Sequence, residues 1–276
     1  VEFFIPRGSK IFFLTYSQIV EMIACCCLYH YPKNVQKNFC RQASYYCKKV
    51  YTFAKNLKVN FMNEQETSMA LASFLLQIKA IKLNPANPFT WASGLKSPIY
   101  CDNRVTLSYP QVRTFIREGF VKMCLDKFGK PDVIAGVATG GIPQGALVAQ
   151  ELGLPFVYVR SEKKSHGMNN QIEGIINSGQ SVVIIEDLVS TGKSSLNAVE
   201  ALREKGAVIK GMLAIFTYGM DVAAENFKNN KCELFTLTNY NALVQKAAEE
   251  NYIREEDLAS LLEWKSNPQA WSDARM

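Results

Sequence analysis

The sequence predicts an α/β fold in which helices flank a central, largely parallel sheet, and three observations carry that prediction. Short uninterrupted apolar runs such as Val182-Val-Ile-Ile185 read as strands covered on both faces, the habit of parallel sheets. Such runs alternate with helical patterns at the spacing of βαβ units. Small-residue or charged loops follow three of the strands directly, where open α/β sheets bind ligands.

The elements follow in order. From Thr67 to Lys82, residues Met69, Leu71, Ala72, Leu75, Leu76, Ile78 and Ile81 recur at helical spacing, and Asn84-Pro-Ala-Asn-Pro88 stops the pattern. Ser97 to Asp102 reads as a short extended segment. Ser108 is placed to cap a helix with Pro110 in its first positions, running to about Phe128. Asp132 to Val137 is the next strand, leading into Ala138-Thr-Gly-Gly-Ile-Pro-Gln-Gly145 and a small-residue helix through Leu152. Phe156 to Val159 is a further strand. Val182 to Ile185 follows, with Glu186 and Asp187 expected where that strand stops, then a helix from Ser194 to Arg203. Val208 to Phe216 and Glu233 to Leu237 supply two more strands.

Composition narrows the function classes. The formal charge of +6 is not spread along the chain: residues 1–61 carry nine Lys or Arg against two Glu, and residues 62–276 carry 22 against 23 acids. The body therefore lacks the electrostatic footprint of a nucleic-acid binder. Five of the eight cysteines also lie in residues 1–61, so the body reads as a reduced, cytoplasmic type of protein. Cys25, Cys26 and Cys27 are consecutive, which does not match zinc-ligand spacing. The apolar stretch from Ile11 to Leu28 is interrupted by Ser17, Gln18 and Glu21, so no membrane span is expected. Residues 1–61 are read as an N-terminal extension, either poorly ordered or translated from upstream of a start at Met62, and residues 62–276 as the functional domain.

Three loops carry chemistry. Glu186 to Ser194 combines two carboxylates, suited to sugar hydroxyls, with a small-residue loop entering a helix, whose N–H groups suit a phosphate. An ATP-binding P-loop is excluded, because the Gly required five positions before Gly192 is Asp187. Thr139 and Gly140, after the strand at Val137, let backbone N–H groups approach an oxyanion. Arg160-Ser-Glu-Lys-Lys-Ser-His166 reads as a flap that closes over a polyanion.

Taken as a whole, Val182 to Ser194 resembles the phosphoribosyl-pyrophosphate signature of type I phosphoribosyltransferases. Phe89-Thr-Trp-Ala-Ser-Gly-Leu-Lys-Ser-Pro-Ile-Tyr-Cys-Asp-Asn-Arg104 looks like the N-terminal hood of the orotate phosphoribosyltransferase family, and Arg160 to His166 like its catalytic flap. The resemblance runs from about Met62 to Trp271. It implies transfer of a 5-phosphoribosyl group from phosphoribosyl pyrophosphate to orotate in pyrimidine synthesis, with Mg²⁺ held mainly through the pyrophosphate donor. It further implies a homodimer with shared active sites, no nucleic-acid partner and no membrane.

By motif position the resemblance assigns Lys164, His166 and Asp187 to catalysis. Glu186 and Asp187 hold the ribose hydroxyls, Leu188, Val189, Ser190, Thr191, Gly192, Lys193 and Ser194 wrap the 5'-phosphate, and Thr139 and Gly140 line the pyrophosphate. Arg160, Lys163, Lys164 and His166 close over the donor from a neighbouring subunit. Ser190, Tyr100, Cys101 and Lys96 face orotate. The chain departs from the family pattern at Ala92, where many members carry Lys, and at Thr217 and Tyr218, where others carry an orotate-binding Arg. A purine acceptor is the rival enzyme reading, and a ribosyl-pyrophosphate-binding regulator with a basic DNA-binding segment is the rival from another class.

Overall fold

In the computed structural model, residues 3–7, 10–14, 62–91, 93–161 and 171–276 are described. The chain divides into two compact units, Val1–Phe61 and Met62–Met276. In the first, β1 (Phe3–Arg7) pairs antiparallel with β2 (Lys10–Leu14).

The second unit opens with α1 (Glu64–Gln77), started by a reciprocal capping box between Asn63 and Glu66. The apolar spacing predicts a helix to Lys82, but the chain leaves it at Ile78 and Lys79 takes a left-handed φ of 58°. Ile81 is buried instead through β3 (Ile81–Leu83), so its helical spacing is coincidental. The hairpin of β4 (Phe89–Thr90) and β5 (Lys96–Ser97) follows, and β6 (Ile99–Cys101) returns antiparallel to β3. A 3₁₀ turn over Asn103–Ser108 precedes α2 (Pro110–Phe128). Ser108 closes that turn and does not cap the helix. Tyr109 occupies the N-cap position without a side-chain bond, because the cap must directly precede Pro110.

The central sheet comprises β7 (Val133–Val137), β8 (Phe156–Val159), β9 (Ile172–Glu173), β10 (Ser181–Val189), β11 (Val208–Thr217) and β12 (Leu234–Asn239). Its order is β12-β11-β10-β7-β8-β9, parallel except for β9 at the edge, which the sequence does not signal in its two residues. Helices α3 (Gly141–Leu152), α4 (Lys193–Glu204), α5 (Asp221–Asn229), α6 (Tyr240–Glu249), α7 (Glu255–Ser266) and α8 (Pro268–Asp273) complete the unit.

Strand alternation divides the core into two layers. Val183 and Ile185 of β10 join Leu71 and Leu75 of α1, Ile116 and Phe120 of α2 and Val148 of α3 on one face. Val182 and Ile184 join Leu196, Val199 and Leu202 of α4 and Phe227 of α5 on the other. The sheet is thus covered on both sides, which is why the strand at Val182 shows no polar alternation.

Along the chain, β7 and β8 are laid down in one direction from the sheet's middle and β10, β11 and β12 in the other. The order therefore reverses between β7 and β10. A crevice forms outside the carboxyl ends of the two strands flanking such a reversal. The loops after β7 and β10 both open into it.

Candidate active site

The acids lie within β10, not beyond it. The apolar run predicts a strand that stops before Glu186, yet it continues to Val189. The reason is that β11 outlasts β7: the ladder to β7 ends at Ile185, while that to β11 continues through Leu188 and Val189. Glu186 and Asp187 occupy the first positions where β10 has lost one neighbour and kept the other.

The pleat sends the two carboxylates different ways. Glu186 is 4% exposed; its Oε2 accepts from Ser195 Oγ at 2.8 Å and its Oε1 from the Asp187 N–H at 2.9 Å. Burial, then the neighbouring Asp187 charge, pushes the Glu186 carboxyl well above the usual carboxylate range. Asp187 is only half-buried and meets the loop after β7: a Cβ placed on Gly140 would stand 2.2 Å from the Asp187 carboxylate. Glycine is required there for that approach. The preceding peptide, Ala138–Thr139, is cis. The close approach of Gly140 sets the loop after β7 against Asp187 across the crevice.

Beyond Val189 the chain enters α4 through Ser190, Thr191 and Gly192. Gly192 has φ of 80° and no side chain caps the helix, which leaves the amides of Lys193, Ser194 and Ser195 available to an anion. The loop is tied down from outside: Asn226 Nδ2 donates to the Thr191 carbonyl at 3.0 Å, and Thr217 Oγ1 donates to the Val189 carbonyl at 3.2 Å. It is a built cradle on the same sheet edge as the acids.

The hood segment reaches this edge through Asn103, 2% exposed, whose Nδ2 donates to the Asp187 carbonyl at 2.7 Å. Cys101 Sγ donates to Asn103 Oδ1 at 3.4 Å, and burial, aided by the charges of Asp187 and Asp102, pushes its thiol up. Cys101 is consequently a neutral thiol beside the acids. Tyr100 is exposed and packs against Phe89 at 5.7 Å between ring centroids. Lys96 Nζ donates to Thr90 Oγ1 at 2.9 Å, across the β4–β5 hairpin. Trp91 anchors the hood, packing tilted against Tyr218 at 5.3 Å and edge-to-face against Trp264 at 5.7 Å between ring centroids.

Arg160 stands just past β8 at the same edge, 3.6 Å from Glu173 of β9. Lys163, Lys164 and His166 lie outside the described residues, as does Ala92. Sequence reasoning gives no role to Asn103 or Ser195. Ser195 does leave a signal, a hydroxyl directly before Leu196 on the apolar face of α4. Asn103 leaves none, because its contact spans 84 residues.

A carboxylate, a glycine-walled loop and an uncapped helix N-terminus meet at one switch point, an arrangement suited to a sugar phosphate and shared with the phosphoribosyltransferases. The phosphoribosyl transferase domain family matches residues 111–247. The orotate phosphoribosyltransferase of Bacteroides thetaiotaomicron is 59% identical over 200 residues, covering 72% of this chain and 94% of that protein. That of Listeria innocua is 55% identical over 201 residues, covering 73% and 96%. The crystal structure of orotate phosphoribosyltransferase from Aeropyrum pernix superimposes with a TM-score of 0.58 at 27% identity, covering 67% of this chain and 99% of that one. The chain belongs to the orotate phosphoribosyltransferase family.

Proposed function

We propose that Met62–Met276 transfers the 5-phosphoribosyl group of phosphoribosyl pyrophosphate to orotate, giving orotidine 5'-monophosphate and pyrophosphate, in the cytoplasm and as a homodimer. The observation that carries this reading is the meeting of Asp187 with Gly140 at the switch point, beside the uncapped start of α4. Phosphate and pyrophosphate then bind on either side of one carboxylate, and the ribose between them. The bond from ribose C1 to pyrophosphate breaks as the bond to the orotate ring nitrogen forms.

In this reading Asp187 holds the ribose hydroxyls from the mouth of the crevice and faces positive charge as it develops on the ribose. Glu186 supports it from behind, its own oxygens occupied by Ser195 and the Asp187 N–H. Leu188 to Ser194 wraps the 5'-phosphate, Thr139 and Gly140 address the pyrophosphate, and Ser190, Tyr100 and Cys101 face orotate. Arg160, Lys163, Lys164 and His166, supplied by the partner subunit, neutralise the leaving group and exclude water.

The donor set suits Mg²⁺ held chiefly by substrate oxygens. Asp187, half-buried at the mouth of the crevice, is a hard oxygen donor, whereas both oxygens of the buried Glu186 are engaged by Ser195 and the Asp187 N–H. When bound, Mg²⁺ supplies charge neutralisation on the pyrophosphate. The described residues include no helix long and apolar enough to cross a membrane.

The test is loss of orotate absorbance on mixing the full chain with phosphoribosyl pyrophosphate and Mg²⁺, with adenine and hypoxanthine as competing acceptors. Turnover confined to orotate is expected. A folded protein that ignores orotate, or prefers a purine, overturns the assignment. Sedimentation tests the dimer.

A further inference from the structure

We propose that Lys265 recognises the carboxylate of the pyrimidine acceptor, an assignment that rests on the activity proposed above. A cleft of about 930 Å³ opens beside Ser190 and Thr191, walled by Trp91 of the hood, Gly219 after β11, and Leu262 and Lys265 of α7. That size suffices for a small-molecule site, for which roughly 300–1,000 Å³ is usual. Orotate differs from uracil by a carboxylate, and a carboxylate taken into a cleft requires a cation or several donors.

Lys265 is the one cation among the described residues lining that cleft. A Cβ on Gly219 would be 3.9 Å from both its Cε and its Nζ, so the ammonium stands over the loop at the carboxyl end of β11. Ser190 stands at the carboxyl end of β10, the adjacent parallel strand. Charge and cradle thus share one edge, although Lys265 comes from the far end of the chain.

Among the described residues its ammonium is held without an acidic partner. Nζ donates to Asn241 Oδ1 at 2.7 Å, a neutral partner that fixes its position and leaves two of its three N–H groups for a ligand. The alternatives are weaker. Lys96 is engaged by Thr90 within its own hairpin. Thr217 is used by the Val189 carbonyl and the Gly219 N–H, and Tyr218 is 3% exposed, with burial holding its phenol neutral. Asp221, in the first turn of α5, also lines the cleft. A nearby acid repels the acceptor's carboxylate and makes a cation more necessary.

The experiment compares wild type with Lys265→Gln and Lys265→Arg in steady-state kinetics, with uracil-6-carboxamide as a competitive inhibitor that keeps the ring and loses the charge. In Lys265→Gln, kcat/KM for orotate should fall about 10- to 100-fold, chiefly through KM, with KM for phosphoribosyl pyrophosphate changed less than about 2-fold. Inhibition by the carboxamide should be unchanged, and Lys265→Arg should recover most of the loss. Unaltered orotate kinetics in Lys265→Gln, or equal losses toward orotate, the carboxamide and phosphoribosyl pyrophosphate, overturn the assignment. Wild type inactive with orotate rejects the proposed activity and this inference together. An active wild type with an unimpaired variant rejects only the role of Lys265.

Discussion

Replacing Glu186 by glutamine removes one ionisable proton from the centre of the site while nearly preserving its shape. In the wild-type fold this carboxyl is buried and titrates well above its ordinary value of 4.5, first because of burial and then because of Asp187. The folded state therefore keeps a proton that the unfolded chain has released. Where the folded state binds more protons, the unfolding free energy falls as pH rises. The contribution is fully present below the ordinary value and is lost as pH climbs toward the folded one, at up to about 1.4 kcal/mol per pH unit.

The Glu186→Gln side chain does not titrate. Its amide oxygen can accept from the Asp187 N–H and its amide nitrogen can donate to Ser195 Oγ, whose hydroxyl turns to suit, so both contacts of the wild-type side chain have replacements. Urea unfolding of both proteins between about pH 5 and about pH 8 should show the variant gaining on the wild type by more than about 1 kcal/mol across that window. Asp187→Asn, which removes the second cause, should shrink that gain. A difference that stays constant with pH, or a wild type that gains on the variant, would refute the reasoning. It would mean that the Ser195 and backbone hydrogen bonds outweigh burial and hold Glu186 ionised.

Three further outcomes are expected. Gly140→Ala places a methyl 2.2 Å from the Asp187 carboxylate, so turnover should drop by about 100-fold with the circular dichroism spectrum intact, a misplacement of order 1 Å being sufficient for that loss. Gly192→Ala forces a side chain into a φ of 80° and against the Phe227 ring at 2.7 Å; chemical denaturation should show a loss of at least about 1–2 kcal/mol, and the apparent affinity for phosphoribosyl pyrophosphate should weaken. Lys164→Ala should lower turnover by about 100-fold or more with the melting temperature unchanged, since its assigned work is on the leaving group and not in the core; unchanged turnover would remove Lys164 from the catalytic set.

Much of the fold is legible in the sequence because a parallel sheet covered on both faces writes its strands as unbroken apolar runs. Val182 to Ile185 is such a run, and alternate residues do enter the two core layers. Boundaries are less legible. The end of α1 escapes local reading because Ile81 keeps helical spacing while being buried by strand pairing with Cys101. The end of β10 escapes it because strand length there depends on how far β11 extends, which no local pattern reports.

By itself, the sequence determined which residue types the site contains and which loops carry them: the adjacent acids, the small-residue cradle and the glycines after β7. These follow from local chemistry, since hydroxyl-binding carboxylates and phosphate-binding amides each need a particular short segment. Only the tertiary structure decided how the segments meet. The reversal of strand order between β7 and β10 brings Gly140 to Asp187, pleating turns Glu186 inward to Ser195, Asn103 is tied to the Asp187 carbonyl, and Lys265 is set over the end of β11. The physical reason is that, apart from Glu186 with Ser195 nine residues on, those contacts join segments far apart in the chain, and their formation depends on the packing of the whole sheet, not on the preference of any one stretch.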